Sequence, residues 1–543
     1  MKTLVFAGSA RDMDGEAASR WFFDSFALVE AAGRRAAGVL LRAFPSLFAP
    51  PGRPRAAVLA GSGNNAADAL VILRSLVLAG RVEVENAAVL INKIPGSGER
   101  NPRSEAFRSL EKMGVRVFCM ETLPGPATDQ VLIWADLLID GIAGTGIEGP
   151  LRGPLAALVE QVNRLASGHG PLVVSVDLPS GNSDKRREGE PLLSAAATLA
   201  IEPEKFCLYD PAARPCAGRI LHVGGIFPRA LTEKYRAAEL VSWEDVARSI
   251  PPVKPDAYKY SRGLLEIRAG SPGASGAARI AARGAQAVGA GLIRLVVDPP
   301  IHGPLAASAG GLMVVPSEAE GETLGIGTGP EGISRFKPQG LLLGPGWGRS
   351  ADRLKILEEA LVLEEAGVPL VLDADAISLA KGRVFHGKAL LTPHPGELAA
   401  YGDIPREELL AHPAPLLLAL AREKKAVILF KTHVMFVAAP DGRLGLVDGM
   451  APVLGAGGSG DLLAGFCAGI AVRSLAAGRE GLSPPDLYTC ALAAAALLIK
   501  AARDPSLAGR FTDPLELADK AADIAGRAWL PRREAEFSGE ANE

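Results

Sequence analysis

The chain has 543 residues, of which 48% are hydrophobic and 22% are charged, and its net charge is −3. This length predicts two or three globular domains, and the charge balance excludes the strongly basic surface of a nucleic-acid-binding protein. The five cysteines form no CxxC pair, the charged N-terminal segment is unlike a signal peptide, and the alanine-rich runs are too short to span a bilayer, so we expect a cytoplasmic protein.

The first half of the chain alternates short apolar runs with amphipathic segments. Residues 56–63 predict a strand that ends in a glycine turn, and residues 66–80 predict a helix. Another helix is predicted over 104–114, and further strands are predicted within 87–95, 115–120, 135–146 and 171–181. Strands that alternate with helices favour a parallel sheet covered on both faces. Ligands of such sheets bind at the carboxyl ends of the strands.

Polar residues follow three of these strands. Asn64 and Asn65 come after the first, where their side chains could cap the helix or offer oxygens to a cation. Asp140 precedes a Gly-Thr-Gly loop suited to phosphate, and Asp177 and Ser180 follow a third strand. Asn65, Asp140 and Ser180 together would form an all-oxygen site for a hard cation, with Asp177 as an acid or base. The alternative is that all of them are ordinary turn residues.

From "ALVEAAG" at 27–33 to about residue 225, the first half resembles the NAD(P)H-hydrate epimerase family, which has a Rossmann-like fold. The resemblance is carried by "GSGNNAADAL", "DGIAGTGIEGPLRG" and "VVSVDLPSGNSD". It implies that potassium is held by Asn65, Asp140 and Ser180, and that Asp177 is catalytic. The hydrate-binding residues that it implies are Asn64, Asn65, Asp68, Gly144, Thr145, Gly146 and Asp177.

One loop departs from this family. The family sequence Asn-Asn-Gly-Gly-Asp-Gly is "NNAADA" here, so Ala66, Ala67 and Ala69 stand in place of glycines. If those glycines need positive φ, each alanine costs about 1 kcal/mol or more. If they lie in the first turn of a helix, alanine is tolerated and even stabilising. A non-catalytic binding module is therefore the alternative for this half.

Residues 225–258 carry charges and prolines without a long apolar run, which indicates a domain boundary. We predict one domain over 1–230, a second over 231–530 and a polar tail over 531–543. The second domain opens with an α/β pattern over 263–297. Its later strands are predicted within 340–348, 368–380, 388–397 and 426–442.

The segment "VLGAGGSGDLLAGF" at 453–466 places Asp461 between a glycine-rich turn and a predicted helix. Glycine backbone and a helix N-terminus together form an anion site suited to phosphate. A carboxylate there could take the proton of a hydroxyl beside the phosphate, or it could only cap the helix. Four more turns, which would line one crevice if all lie at strand ends, are at 269–278, 344–348, 373–378 and 392–397.

From about 250 to 530, the chain resembles the ADP- or ATP-dependent NAD(P)H-hydrate dehydratase family of the ribokinase-like superfamily. The motifs are "AGSPGASGAARIAARGAQAVGAGL", "GPGWG", "DADAIS", "TPHPGE" and "GAGGSGDLLAG" in the order of the family. The resemblance implies an α/β/α fold with Asp461 as the catalytic base, ADP or ATP as co-substrate, and Mg²⁺. The substrate-binding residues that it implies are Ala277, Gly346, His394 and Asp461, and the nucleotide-binding residues are Lys431, Gly457, Gly458, Ser459 and Gly460.

The nucleotide motif also departs from the family, which usually has a Lys-Gly pair and a Thr four residues after the Lys. Lys431 is kept, but Thr432 replaces the glycine and Met435 stands where Thr is expected. Loss of this hydroxyl could alter nucleotide affinity or choice. From its residue type alone, Lys431 could also be an ordinary surface lysine.

The two resemblances imply a bifunctional enzyme that interconverts the R and S hydrates of NAD(P)H and dehydrates the S hydrate with ADP. Dehydration would proceed by phosphorylation of the ring hydroxyl and elimination of phosphate. The rival interpretation is a kinase of a small metabolite with a non-catalytic N-terminal module. Expected partners are the hydrate and an adenine nucleotide, neither nucleic acid nor a membrane. The sequence does not decide whether ADP or ATP is the co-substrate, whether NADH or NADPH hydrate is preferred, or whether the chain forms a homo-oligomer.

Overall fold

A computed structural model of the chain describes residues 1–49, 53–120, 125–146, 149–168, 170–308, 310–317, 337–479 and 485–531. The chain forms two compact units. The N-terminal unit comprises Thr3–Ala238 and Leu410–His412, and the C-terminal unit comprises Met1–Lys2, Glu239–Leu409 and Pro413–Glu543. The main division thus falls between 238 and 239 rather than between 230 and 231. Except for residue 531, the predicted polar tail lies outside the described residues.

The position of this division has a physical reason in the helix that follows residue 228. This helix, Arg229–Lys234, packs Leu231 into a small core with Val5, Met13 and Ala17. Burial of its apolar side keeps the segment in the N-terminal unit, although its sequence is charged.

The N-terminal unit is built from nine strands and seven helices among the described residues. The strands are β1 (Lys2–Val5), β2 (Ala56–Ala60), β3 (Ala87–Ile91), β4 (Arg116–Cys119), β5 (Leu137–Gly141), β6 (Leu172–Val176), β7 (Ala197–Ile201), β8 (Glu204–Lys205) and β9 (Arg219–Val223). The helices are α1 (Ala10–Trp21), α2 (Ser25–Ala43), α3 (Asn64–Leu78), α4 (Pro102–Lys112), α5 (Gly125–Trp134), α6 (Gly153–Ala166) and α7 (Arg229–Lys234).

Seven of these strands form a parallel sheet in the order β4-β3-β2-β5-β6-β7-β9. Val58 of β2 belongs to a core that includes α2, α3 and α4, whereas Leu59 belongs to a second core that includes α6. Helices therefore cover both faces, which explains why the strands are continuous apolar runs. The strand order reverses between β2 and β5, and this switch point is where such sheets bind ligands.

The C-terminal unit continues the same alternation. Its strands are β10 (Ala238–Leu240), β11 (Leu264–Arg268), β12 (Leu292–Val297), β13 (Met313–Pro316), β14 (Gly340–Leu343), β15 (Leu370–Leu372), β16 (Ala389–Leu391), β17 (Val427–Phe430), β18 (Val434–Ala438) and β19 (Leu444–Asp448). Its helices are α8 (Trp243–Val246), α9 (Ser275–Ala287), α10 (Pro299–Ser308), α11 (Ala351–Glu365), α12 (Asp375–Leu379), α13 (Pro395–Gly402), α14 (Arg406–Ala411), α15 (Pro413–Lys424), α16 (Ser459–Arg479), α17 (Leu487–Ala502) and α18 (Pro514–Trp529).

The strands of this unit follow the order β13-β12-β11-β14-β15-β16-β17-β18-β19-β10. The sheet is parallel from β13 to β17, and β18 is antiparallel to both of its neighbours. Leu342 belongs to the core formed with α9, α16 and α17, and Leu341 on the opposite face is equally buried. The order reverses between β11 and β14, so the second switch point lies there.

The apolar segment 426–442 contains two strands rather than one. Lys431, Thr432 and His433 separate β17 from β18, and the Thr432 hydroxyl closes this turn by accepting a hydrogen bond from the Val434 amide at 3.1 Å. The high hydrophobicity on both sides hides this turn in the sequence.

One helix, over Ser459–Gly478 within α16, is long and apolar enough to cross a membrane by length and composition. Its apolar window is 78% buried inside the fold, as expected for a helix at the centre of a core. Its apolar character is explained by packing against α9 and α17.

Candidate active sites

A cavity of about 470 Å³ in the N-terminal unit lies at the carboxyl ends of β2, β5 and β6. The structure brings all the predicted hydrate-binding residues to its wall: Asn64, Asn65, Asp68, Gly144, Thr145, Gly146 and Asp177. Since β2 and β5 flank the switch point of the sheet, the cavity occupies the position at which this architecture binds ligands.

Asp177 is held by a lysine that the sequence motifs do not indicate. It follows β6 with a φ of 62°, an uncommon conformation for a residue other than glycine. Its Oδ1 accepts hydrogen bonds from Lys205 Nζ at 2.7 Å and from the Ile201 amide at 3.2 Å. Lys205 is nearly buried and also lines the cavity. Nothing local marks Lys205 in the sequence, because its partner is 28 residues away.

Asp68 and Asp14 add two more carboxyls to this wall. Asp68 on α3 is only 8% exposed, and its Oδ1 accepts no hydrogen bond from the described residues. Burial, and next the charge of Asp177, raise the pKa of Asp68 well above its usual value. Asp14 on α1 also lines the cavity. Desolvation of its carboxyl raises its pKa, although the charge of Lys205 acts in the opposite direction.

The three predicted cation ligands converge beside this cavity. Asp140 is buried, and its carboxylate accepts hydrogen bonds from the Ser175 hydroxyl at 2.8 Å and from the Ser180 amide at 3.0 Å. Burial raises the pKa of Asp140 despite these bonds. Asn65 Nδ2 donates to the Ala143 carbonyl at 3.0 Å, whereas the buried Asn65 Oδ1 has no partner among the described residues. An unpartnered buried oxygen beside a buried carboxylate fits a site for a hard cation.

The prediction that Asn64 and Asn65 cap the helix is wrong. Gly63 occupies the N-cap position of α3, and no side chain makes the capping hydrogen bond. Asn65 is instead inside the helix and is turned toward the carbonyl of Ala143. Because Asn65 is already inside the helix, its side-chain amide makes a tertiary contact instead of a capping hydrogen bond.

The structure resolves the question raised by the three alanines. Ala66, Ala67 and Ala69 lie in the first two turns of α3, are fully buried, and have ordinary negative φ. Alanine is the best helix former, whereas glycine is about 1 kcal/mol worse in a helix interior. The substitutions are therefore compatible with the local backbone.

In the C-terminal unit, a buried carboxylate joins two of the predicted strand-end turns, 373–378 and 392–397, to the turn that contains Lys431. Asp373 follows β15 and is 1% exposed. It accepts hydrogen bonds from Lys431 Nζ at 2.5 Å and from the Thr392 hydroxyl at 2.7 Å. The next residue, Ala374, has a φ of 47°, which is unusual for alanine. Lys431 is therefore an oriented and largely buried side chain rather than an ordinary surface lysine.

Asp461 lies in the first turn of α16 beside this pair. Burial and the charges of Asp373 and Glu397 raise the pKa of Asp461 to about 6, although Lys431 acts in the opposite direction. Among the described residues, no group donates a hydrogen bond to its carboxylate, so the capping role alone does not account for it. Burial lowers the pKa of Lys431, but the negative charges of Asp373, Glu397 and Asp461 outweigh this effect and raise the pKa above its usual value.

The glycine-rich turn before α16 provides the candidate phosphate site. Gly458 has a φ of 95°, a conformation that favours glycine. The helix begins at Ser459, whose hydroxyl donates to the Leu454 carbonyl at 3.0 Å. A Cβ on Gly460 would come to 3.3 Å from Lys431 Nζ. Gly457, Gly458, Ser459 and Gly460 therefore present a helix N-terminus next to an ammonium group, an arrangement that attracts phosphate.

His394 is the N-cap of α13. Its Nδ1 accepts hydrogen bonds from the amides of Gly396 at 3.0 Å and Glu397 at 3.2 Å, and Glu397 accepts one from the His394 amide at 2.8 Å. Because Nδ1 is an acceptor, the neutral ring carries its proton on Nε2. Nε2 lies 3.4 Å from Glu397 Oε1, and more than half of the His394 side chain is exposed, so a substrate can reach the ring.

The remaining predicted turns are also in contact. Gly346 has a φ of 57°, and a Cβ there would meet Ala277 at 3.0 Å. Asp375 accepts hydrogen bonds from the Gly348 amide at 2.8 Å and from Arg349 Nε at 2.9 Å. These contacts join the turns at 269–278, 344–348 and 373–378 along one edge of the sheet, as expected from the sequence.

The two departures in the nucleotide motif have different surroundings. The Thr432 hydroxyl is used within its own turn, where it contacts the backbone of Val434. Met435 is 6% exposed and belongs to the core against α16 and α17. Met435 therefore contributes packing, and no hydroxyl is present at this position.

A mostly parallel α/β sheet whose carboxyl edge carries a carboxylate, a lysine and a glycine-rich helix N-terminus is typical of enzymes that bind nucleotide phosphates. Residues 265–521 match the sequence model of the family described as NAD(P)H-hydrate dehydratase, and residues 25–207 match the one described as YjeF-related protein N-terminus. The bifunctional NAD(P)H-hydrate repair enzyme Nnr of Gloeobacter violaceus is 34% identical over 458 residues, which are 81% of this chain and 83% of that protein. The chain therefore belongs to the family of bifunctional NAD(P)H-hydrate repair enzymes.

Other relatives match a similar share of the chain. The Nnr protein of Moorella thermoacetica is 30% identical over 88% of this chain and 89% of its own length. Among solved structures, the ADP/ATP-dependent NAD(P)H-hydrate dehydratase from Bacillus subtilis, co-crystallized with ATP/Mg²⁺, covers 54% of this chain and 99% of its own, with 22% identity and a TM-score of 0.44.

Proposed function

We propose that this chain repairs hydrated NAD(P)H. The N-terminal unit interconverts the R and S hydrates, and the C-terminal unit dehydrates the S hydrate with ADP or ATP. The observation that carries the proposal is the position of Asp461, a carboxylate with a pKa of about 6 beside the Lys431–Asp373 pair and a glycine-rich helix N-terminus. Membership of the bifunctional repair family supports the choice of substrate.

In the C-terminal unit, Asp461 takes the proton of the ring hydroxyl, because a base with a pKa near 6 is ionised at neutral pH and still accepts a proton. The hydroxyl oxygen forms a bond to the terminal phosphorus of the nucleotide as the bridging P–O bond breaks. The ring C–O bond then breaks to release phosphate, and the neighbouring ring carbon gives its proton to the departing phosphate as the double bond of NAD(P)H forms.

Lys431 and the backbone of Gly457–Gly460 stabilise the charge on the transferring phosphoryl group, since positioning and electrostatics dominate this chemistry. Ala277, Gly346 and the Nε2 edge of His394 are assigned to the hydrate. Mg²⁺ supplies neutralisation of the phosphate charge when bound. Mg²⁺ would be held by the nucleotide phosphates, since this ion is usually bound through substrate phosphates.

In the N-terminal unit, Asp177 is the acid/base: it takes the proton of the ring hydroxyl as the bond from the hydroxylated carbon to the ring nitrogen breaks, and it returns the proton when this bond re-forms on the other face of the carbon. Lys205 fixes the orientation of Asp177 through the 2.7 Å contact. Asn64, Asn65, Asp68 and the Gly144–Gly146 loop bind the hydrate around it. Potassium would be held by Asn65, Asp140 and Ser180, where it supplies positive charge beside a buried carboxylate. The unpartnered Asn65 Oδ1 supports this assignment. We further propose a cytoplasmic location, where reduced nicotinamide cofactors are abundant.

The test uses the full-length chain and separated R and S hydrates of NADH. With the S hydrate, Mg²⁺ and either ADP or ATP, we expect stoichiometric NADH, followed by its absorbance. With the R hydrate and potassium but no nucleotide, we expect conversion to the R/S mixture. A phosphorylated product that persists without NADH would instead indicate a small-metabolite kinase. An R hydrate that epimerises no faster than without protein would indicate a non-catalytic module.

A further inference from the structure

Helix α1 forms a wall of the N-terminal cavity although it precedes the part of the chain that matches a family model, which begins at residue 25. Arg11, Asp14 and Ala18 of this helix line the cavity. Their spacing of three and four residues places them on one face of α1, as required for side chains that share a neighbour. The cavity is therefore incomplete without this helix, which no motif indicates in the sequence.

The two charged residues of this face interact with different groups of the cavity wall. Arg11 Nη2 donates to the Gly146 carbonyl at 2.6 Å, at the end of the Gly-Thr-Gly loop. Asp14 interacts electrostatically with Lys205 and Asp177. The helix rises about 4.5 Å over three residues. One turn of α1 thus extends from the glycine loop to the acid/base group.

Acidic residues outnumber the described basic residues in the lining of the cavity, so an anionic ligand at the Gly144–Gly146 loop needs a nearby cation. Its acidic lining residues are Asp14, Asp68, Asp177 and Glu202, whereas the described basic lining residues are Arg11 and Lys205. Lys205 is engaged by Asp177. A dinucleotide carries a diphosphate that the ionised carboxylates of this wall would repel. Arg11 contacts the glycine loop rather than Asp177, and guanidinium forms paired hydrogen bonds to phosphate.

We propose that Arg11 binds the diphosphate of the dinucleotide hydrate at the Gly144–Gly146 loop, while the hydroxylated ring faces Asp177. This inference rests on the proposed epimerase function of the unit. Arg11 acts in binding rather than in proton transfer, since it contacts the glycine loop, whereas Lys205 contacts Asp177.

The test measures epimerisation of the pure R hydrate by the full-length chain without nucleotide, so that dehydration does not contribute. For Arg11→Gln we expect KM to rise about 10-fold to 100-fold, the effect of losing a charge-assisted hydrogen bond, with kcat within about twofold because only binding is lost. Arg11→Lys should recover much of the affinity. The matched control is Arg20→Gln on the same helix, since Arg20 is 71% exposed and contacts Glu16 instead.

Two readouts separate binding from a structural role. Added salt should raise the KM of the wild type more than that of Arg11→Gln, because the charge pair is screened. If Arg11 merely fixed the loop, kcat and thermal stability would fall while KM and its salt dependence stayed unchanged, and the proposal would be overturned. A KM equal to that of Arg20→Gln would also overturn it.

The inference can fail independently of the proposed function. If the wild type does not epimerise the hydrate, the epimerase assignment fails. Calorimetric titration with the S hydrate, which both units are proposed to bind, still tests Arg11. The wild type would then bind two equivalents per chain, one in each unit, and Arg11→Gln would lose one of them. Two unchanged equivalents in Arg11→Gln would contradict the role of Arg11.

Discussion

Each unit places a lysine–aspartate pair at the carboxyl edge of its sheet and adds a further carboxyl beside it. In the C-terminal unit, Lys431 and Asp373 are 2.5 Å apart and the additional group is Asp461. In the N-terminal unit, Lys205 and Asp177 are 2.7 Å apart and the additional group is Asp68. The same set of charges therefore occurs twice in unrelated local sequences.

The difference lies in the surroundings of the additional carboxyl. Asp461 is in the first turn of α16, partly exposed, and its pKa is about 6. Asp68 is one turn inside α3, with an unpartnered oxygen, and burial raises its pKa well above the ordinary value. Burial thus makes one carboxyl a base suited to neutral pH and favours the protonated form of the other.

The largest effect should come from Asp461→Asn. Loss of the base should reduce dehydration of the S hydrate by about 10³-fold to 10⁴-fold, while epimerisation stays at the wild-type rate. NADH formation and R-to-S conversion, assayed on the same preparation, check this. An Asp461→Asn enzyme as fast as the wild type would remove Asp461 from the mechanism.

Asp177→Asn should produce the reverse pattern. We expect epimerisation to fall by about 10²-fold to 10³-fold, because the positioned acid/base group is lost, and dehydration of pure S hydrate to remain unchanged. Chromatographic separation of the two hydrates over time measures the first rate. Equal losses in both reactions would show that the variant damages the whole chain rather than one site.

The pH profile of dehydration should have an acid limb near pH 6. Below this pH, Asp461 is protonated and kcat should fall about tenfold per pH unit. Asp373→Asn should move the limb to lower pH, because the charge of Asp373 raises the pKa of Asp461. The control is Asp403→Asn, whose partner Lys381 lies on the surface, and its limb should not move. An unmoved limb in Asp373→Asn would contradict the electrostatic coupling.

Asp68→Asn should stabilise the chain at neutral pH. The folded-state pKa of Asp68 is above the unfolded value of 3.8, so folding favours its protonated form. Above pH 3.8 this difference lowers the free energy of unfolding, and below it the contribution disappears. We expect a gain of about 1–3 kcal/mol at pH 7 that vanishes near pH 3. Asp136→Asn, which breaks an ion pair with Arg55, should have the opposite sign in denaturant titrations.

The smallest effects should come from restoring glycine in α3. Ala66→Gly, Ala67→Gly and Ala69→Gly should each lower the free energy of unfolding by about 1 kcal/mol, without a gain in epimerisation. Thermal unfolding and the R-to-S rate check these two parts. A faster epimerase after Ala66→Gly or Ala67→Gly would mean that the alanines, and not the fold of the helix, limit this unit.

The sequence predicts the strands and their polar ends well, because buried parallel strands are continuous apolar runs with small residues after them. Asp140, Asp177 and the turn at 344–348 were found in this way. Lys205, Thr392 and Arg11 were not, because their roles depend on which strands and helices become neighbours. The turn at Lys431 within 426–442 was also hidden, since hydrophobicity alone does not distinguish one long strand from two antiparallel ones.

The central claim, two independent active sites in one repair enzyme, is tested by supplying only the R hydrate with potassium, Mg²⁺ and nucleotide. The wild type should convert all of it to NADH. Asp177→Asn should form NADH no faster than spontaneous epimerisation allows, Asp461→Asn should yield the R/S mixture without NADH, and a mixture of the two variants should restore full conversion. Full conversion by Asp177→Asn alone, or none by the mixture, would contradict the account.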